Sequence, residues 1–193
     1  MTNESVTKTP IVGLRAGVGA MMGLEPGELS DGELAATIVA FRREMDRLDS
    51  VFADLALAGH RRGVGREDGY ESTPSWLRAR SGMRTGEVHA AIAAGELGEV
   101  LPATRTDWRK GRISSGAVRL MRSARVPGYD DELAAVESEL LAAALKKDLW
   151  SLGRMAQHFK RCARRDGDMP PRRMVCAPRW SPTGWRWMPI LAG

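Results

Sequence analysis

A heptad pattern of apolar residues in the first third of the chain limits its fold more than any other feature. Large apolar side chains recur at alternating intervals of four and three residues: Leu34, Ile38, Phe41, Met45, Leu48, Phe52 and Leu55. This spacing aligns them along one side of an α-helix. Because Asp31 can cap its start and Gly59 can end it, the pattern predicts a helix of roughly 29 residues, about 44 Å long.

The apolar stripe of this helix needs a partner, because a long one-sided helix is not stable alone in water. Two partners fit the pattern, and packing on the same chain is the expected one. The stripe packs on the rest of the same chain, or it pairs with a second copy through the same seven residues as a homodimeric coiled coil. The sequence leaves both alternatives open.

A helix–turn–helix-like corner is predicted after the polar, glycine-rich stretch 61–69. A short helix from Pro74 to Ser81 ends at Gly82, and a second helix begins at Thr85. A helix-turn-helix has its core and turn residues at fixed offsets. In this sequence those offsets are occupied by Leu77, Gly82, Met83 and Val88. The corner is compatible with ordinary helix packing and with DNA contact.

Helical patterns continue to the end of the body. They predict one helix over Glu99–Lys110 and another over Tyr129–Leu145. Two further helices are predicted to begin at N-caps, one at Ser114 or Ser115 and the last at Asp148. Since no stretch shows the β-branched alternation of a strand, the fold class is all-α. A long amphipathic N-terminal helix is followed by a multi-helix bundle that contains the corner.

Positive charge is concentrated on the later helices. The chain has a net charge of +5 and a pI of about 9.7, and most of its basic residues are arginine. Residues 149–165 contain no acidic side chain. A basic surface of this kind suits a polyanion such as DNA. The candidate phosphate contacts are Arg84, Arg112, Arg119, Arg122, Arg161, Arg164 and Arg165.

Four segments carry a resemblance to a known family. They are STPSWLRARSGM at 72–83, LPAT at 101–104, GRIS at 111–114 and RRDGD at 164–168. In this order, and with the heptad helix upstream, they resemble the actinobacterial 13E12-repeat family, whose shared region is domain of unknown function 222. In that family the helical region precedes an HNH endonuclease domain. The resemblance implies a mobile-repeat protein associated with nucleic acid processing.

The chain lacks the residues of an HNH site. Such a site needs a histidine base, an asparagine and a further histidine for the metal. The only asparagine is Asn3, and no histidine follows His158. We therefore expect no nuclease activity by that mechanism, no cofactor and no metal site. The expected function is weak DNA binding by a non-catalytic helical domain, or alternatively helical oligomerisation or protein interaction without a nucleic-acid role.

Composition divides the chain into three segments. Glycines predict a disordered leader over 1–29, and the helical domain covers 30–168. The segment 169–193 is rich in Pro, Arg and Trp and is expected to be an irregular tail. Its composition suggests a frameshift near Pro171–Arg173 that truncates a longer protein; a genuine basic, aromatic tail is the alternative. With no membrane span or signal peptide in the pattern, a cytoplasmic location is expected.

Overall fold

The computed structural model describes residues 4–166, 176–181 and 184–189, with side chains over 10–164. Within these residues the secondary structure is mainly helical, which confirms the all-α class of the body. The elements are α1 (Glu4–Met22), a 3-10 turn (Pro26–Glu28), α2 (Asp31–Arg62), α3 (Thr73–Ser81), α4 (Thr85–Val100), α5 (Pro102–Arg109), α6 (Ser115–Ala124), α7 (Asp130–Ala135), α8 (Glu137–Leu145), α9 (Leu149–Asp166), β1 (Cys176–Ser181) and β2 (Gly184–Pro189).

The chain divides into two compact units, Met1–Phe41 and Arg42–Gly193. In the first unit, helix α2 starts with a capping box. The backbone N–H of Ser30 donates to Glu33 Oε2 over 2.9 Å, and the N–H of Glu33 donates to Ser30 Oγ over 3.4 Å. The N-cap is therefore Ser30 rather than the predicted Asp31, because the serine has a glutamate three residues later with which it can form the reciprocal pair.

The first unit also contains a helix where a disordered leader was predicted. Helix α1 covers Glu4–Met22, and its large apolar side chains, among them Ile11, Val12 and Val18, are exposed. Glycine lowers helix stability by about 1 kcal/mol per residue but does not forbid a helix. The glycine count alone was therefore an insufficient reason to predict disorder. No helix in the described part of the chain is both long enough and apolar enough to cross a lipid bilayer.

The core of the second unit lies among helices α4 to α9. Its fully buried members include Leu101, Met121, Leu133, Leu140 and Leu152, which come from different helices or the joints between them. A smaller cluster lies beside it, where Ala56 and Leu57 of α2 pack against Val88 and Ile92 of α4. Together the two clusters hold the described helices of this unit in one body.

The face of α2 that is buried is not the predicted one. Its buried residues are Asp46, Ser50, Ala53, Ala56 and Leu57. Five members of the heptad stripe are exposed, and Leu34 and Phe52 are half-buried. The prediction that the stripe packs on the rest of the chain is therefore wrong. Small residues favour the observed face, since they let the α2 backbone approach a neighbouring helix closely.

Two predicted helices are interrupted. One helix was predicted over Glu99–Lys110. In the structure, α4 ends at Val100 and α5 begins at Pro102. Proline disfavours helical geometry in the residue before it, and Leu101 has φ −119° and ψ 77°. The helix predicted over Tyr129–Leu145 divides at Val136, after which Glu137 accepts the N–H of Thr104 over 2.7 Å. This bond caps α5 from a distant part of the chain.

The tail contains an antiparallel strand pair where irregular structure was expected. Cys176 lies opposite Pro189, and Ser181 lies opposite Gly184. The strand prediction weighed only β-branched residues, but tryptophan also favours strands. Proline is tolerated here because both strands of a two-stranded sheet are edge strands. The proposed frameshift point, 171–173, lies outside the described residues.

Candidate nucleic-acid interface

The predicted helix–turn–helix corner forms between α3 and α4. Ser72 caps α3 by accepting the N–H of Ser75 over 3.3 Å, and Gly82 ends it in the left-handed conformation with φ 70°. Glycine takes this conformation without the penalty that a side chain brings. Leu77 and Met83 pack against the small core cluster around Val88, as the offsets predicted.

The arginine that precedes the second helix of this corner is paired with a carboxylate. Arg84 is 87% exposed, but its guanidinium lies 2.8 Å from the carboxylate of Glu87. The backbone N–H of Arg84 also donates to Glu87, and these bonds lower the pKa of the glutamate, which stays charged. His89 of α4 is also exposed, but the corner offers few groups that could read bases.

Arg112 lies in the turn between α5 and α6 and forms an ion pair with the buried Asp107. The turn is built on Gly111, whose φ of 66° is left-handed. A β-carbon at that glycine would meet the Arg43 side chain of α2 at 2.5 Å. Arg112 therefore neutralises a buried carboxylate, so its charge is less available to a phosphate than that of an unpaired arginine.

Four candidate arginines lie on two helices that pack against each other. Arg119 and Arg122 are on α6, and Arg161 and Arg164 are on α9. Leu120 of α6 contacts α9 at Gly153, where a β-carbon would lie 3.7 Å from the leucine side chain. Neither α6 nor the segment 149–165 has an acidic residue. The side chain of Arg165 lies outside those that the structure describes.

The outward face of α9 forms a continuous basic stripe. Its members recur at helical spacing and are all exposed: Trp150, Arg154, Gln157, Arg161 and Arg164. The opposite side of the helix supplies Leu152, Met155, Ala156 and Ala163 to the core. Among the described residues, no carboxylate lies within ion-pair distance of the three arginines. Over the 14 residue steps from first to last, the α9 stripe is about 21 Å long.

Trp150 and Arg154 were not among the predicted site residues. Trp150 is 70% exposed, and the Arg154 guanidinium lies 4.6 Å from the centre of its ring. This is a cation–π contact between residues one turn apart. The sequence signal for this contact was a tryptophan at an outward position of a helix whose outward side is otherwise basic. The prediction missed it because it considered only charge.

His158 lies beside this stripe and is not one of its cations. Burial, and secondly the nearby charge of Arg161, lowers the pKa of His158. Its Nε2 is 3.5 Å from Sγ of Cys162. The imidazole is therefore neutral near pH 7, and the positive charge of this region comes from the arginines and Lys160.

A second charged region lies in an open cleft between α4 and α7. Arg125 donates to both oxygens of Asp130 over 2.9 Å and to Glu96 over 2.9 Å, while Arg61 forms a two-pronged pair with Glu99. Hydrogen bonds from Arg125 lower the pKa of Asp130, and that from Arg61 lowers the pKa of Glu99. Because its opposite charges pair with each other, this cleft is a structural network.

Comparison with known proteins finds no matching family model, no matching curated protein and no matching solved structure. The likeness to the 13E12-repeat family stays a prediction from the motifs quoted above. Within the described residues, no group of three or more His, Cys, Asp or Glu side chains is arranged to hold a metal ion.

Proposed function

We propose that this chain is a non-catalytic helical domain that binds DNA through the outward face of α9. The observation that carries the proposal is the α9 stripe of exposed arginines without carboxylate partners. Arg119 and Arg122 of α6, the helix packed beside α9, add positive charge that no described carboxylate neutralises. The resemblance to an HNH-associated helical region supports the same class of partner.

The chemistry of the stripe suits the phosphate backbone. Arginine offers several N–H donors in a planar fork that matches two phosphate oxygens. Each phosphate that is neutralised releases condensed counterions, which makes binding favourable at low salt and weak at high salt. Trp150 adds a flat aromatic surface at one end of the α9 stripe, where an unpaired base can stack.

The binding that this surface supports has little sequence preference. Bases are read by hydrogen bonds from side chains in a groove, and phosphate contacts carry no sequence information directly. The corner, which would have to do the reading, presents Arg84 already paired with Glu87. A surface of this kind suits attachment to nucleic acid within a larger protein, as the family resemblance implies.

The test compares two pairs of arginines. A short labelled duplex of mixed sequence is titrated with the full chain by fluorescence anisotropy between 50 and 200 mM salt. Replacing both Arg161 and Arg164 by alanine is expected to weaken binding at least about tenfold and to reduce the salt slope by about 1.8. The wild type should bind measurably at the lowest salt.

A matched control removes two exposed arginines that are already paired. Arg80 lies 3.6 Å from Asp68, and Arg84 lies 2.8 Å from Glu87, both near the corner. Replacing both by alanine should leave affinity and salt slope unchanged. If the corner variant lost affinity and the α9 variant did not, the assignment to α9 would be wrong. Absence of binding at 50 mM salt would defeat the proposal as a whole.

A further inference from the structure

Helix α2 carries an apolar seam that its own chain leaves uncovered. In the second unit, Met45, Leu48 and Leu55 are 40%, 43% and 64% exposed, and Phe52 is half-buried between them. In the first unit, Ile38 and Phe41 are also exposed. The heptad register of the sequence joins these residues into one seam, which runs from Leu34 to Leu55.

The body of the second unit occupies a different face of the helix. Asp46, Ser50, Ala53 and Leu57 are buried against it, at positions roughly a third of a turn around α2 from the seam, and the buried Ala56 lies between the two faces. The seam therefore has room for another element. Large apolar side chains in a heptad register are what a coiled-coil partner requires.

We infer that the seam binds a second copy of this chain, with the two α2 helices antiparallel. In an antiparallel pair, residues on either side of a common midpoint face each other. With the midpoint between Met45 and Leu48, these two residues meet across the interface, and the other seam positions from Ile38 to Leu55 then meet apolar residues. The remaining layers are Phe41 with Phe52 and Ile38 with Leu55. Gly59, which would face Leu34, lies against Thr73 and Val64 of its own chain.

Charges beside the seam select this orientation. The antiparallel register places Arg42 next to Asp49 of the second copy, once on each side of the midpoint. Both side chains are 53% exposed; within one chain Arg42 lies 3.6 Å from Asp49 and 2.6 Å from Asp46, and Asp49 also accepts the hydroxyl of Ser115. A parallel, in-register pair would instead place Glu44 next to Asp49 of the second copy, twice, and like charges repel.

The same register favours self-association over binding to an unrelated helix. In each layer, a seam residue of one copy meets a seam residue of the other. The flanking ion pair likewise needs only Arg42 and Asp49, which both copies supply. A two-fold interface has this property, since residue i meets j and j meets i. This inference does not depend on the proposed DNA surface, which lies on α6 and α9.

The first experiment measures the mass of the full chain by sedimentation equilibrium over a range of concentrations. We expect the wild type to form a dimer and Leu48→Asp to weaken it at least about 100-fold, because an unpaired charge would be buried in the seam. Val39→Asp places the same charge on an exposed residue of α2 outside the seam, and should leave dimerisation within about threefold. Circular dichroism confirms that each variant is folded.

The second experiment determines the orientation. A spin label at Ala58→Cys, with Cys162 and Cys176 replaced by serine, reports the distance between the two copies. The label lies 11.5 residues from the midpoint, so antiparallel helices separate the two labels by roughly 35 Å and parallel helices by less than about 15 Å. A monomeric wild type, a dimer unaffected by Leu48→Asp, or the short distance would each overturn the inference. DNA binding by a monomer would leave the proposed function intact while this inference failed.

Discussion

The buried carboxylate of Asp46, in the middle of α2, accepts the backbone N–H of Ser115 at the start of α6 over 2.8 Å. Its other close partner is Arg42, whose guanidinium lies 2.6 Å away. The first N–H groups of a helix have no partner within the helix, and a carboxylate also favours the positive end of the helix dipole. Asp46 therefore caps α6 from outside and fixes α2 to the body.

Replacing Asp46 by alanine should lower the free energy of unfolding by about 2–3 kcal/mol, since a hydrogen bond to a charged acceptor is lost and a half-buried N–H is left without its partner. Urea unfolding followed by circular dichroism measures the loss. The matched control is Glu44→Ala, also on α2. Its exposed carboxylate pairs only with Arg47 over 2.7 Å, and the change should stay within about 0.5 kcal/mol. Equal losses in the two variants would contradict the capping role.

Acid should destabilise the protein through Asp46. Burial by itself raises the pKa of this carboxyl, but hydrogen bonds from Arg42 and Ser115 outweigh burial and hold the pKa below its usual value of 3.8. A carboxyl with a lowered pKa in the folded state stabilises the fold above the unfolded pKa, and that stability is lost as pH falls through the folded value. Unfolding free energy should therefore fall as the pH drops below about 3.8, and Asp46→Asn should make the fall shallower. Parallel pH curves for the two proteins would refute this role.

Helices α2 and α4 approach each other closely at Gly95. A β-carbon added there would lie 2.7 Å from the carbonyl oxygen of Ala53 and 2.9 Å from Cβ of Leu57. Alanine normally stabilises a helix relative to glycine. At this position, however, the backbone of α2 would have to move, so Gly95→Ala should lower the free energy of unfolding by about 1–3 kcal/mol.

The control for this variant lies on the same helix. A β-carbon at Gly86 would meet no atom within 4 Å. Gly86→Ala should therefore be neutral or stabilising by up to about 1 kcal/mol. Thermal unfolding of both variants gives the comparison, and a stabilising Gly95→Ala would show that the two helices are not in close contact in solution.

Local signals predicted the helices well and their interruptions less well. Ser114 was one of two proposed caps, and it caps α6 by accepting the N–H of Ala117 over 3.2 Å. Gly82 ends α3 as its position predicted. The break at Leu101 was also available from the sequence, because Pro102 follows it directly, but the apolar periodicity on both sides concealed it. The break at Val136 has no comparable local signal.

The candidate surface was predicted in part. Charge alone identified Arg161 and Arg164, which lie on the α9 stripe, because residues 149–165 contain no acidic side chain. The same reasoning could not separate them from Arg84 and Arg112. Glu87 and Asp107 are only three and five residues away from those two, but whether such neighbours pair depends on the local backbone and on burial.

The sequence by itself determined that α2 is a long helix and which of its residues share a side, because helical periodicity is a local property of the backbone. Only the tertiary structure decided which side is buried. That choice depended on contacts between residues distant in the chain, such as Asp46 with Ser115 and Ala53 with Gly95. An apolar stripe shows that burying these side chains is favourable, but it does not show which element of the structure they pack against. The close approach of the α2 and α4 backbones and the capping of α6 by Asp46 outweighed the burial of the stripe. The large apolar side chains of the stripe therefore remained at the surface of the chain.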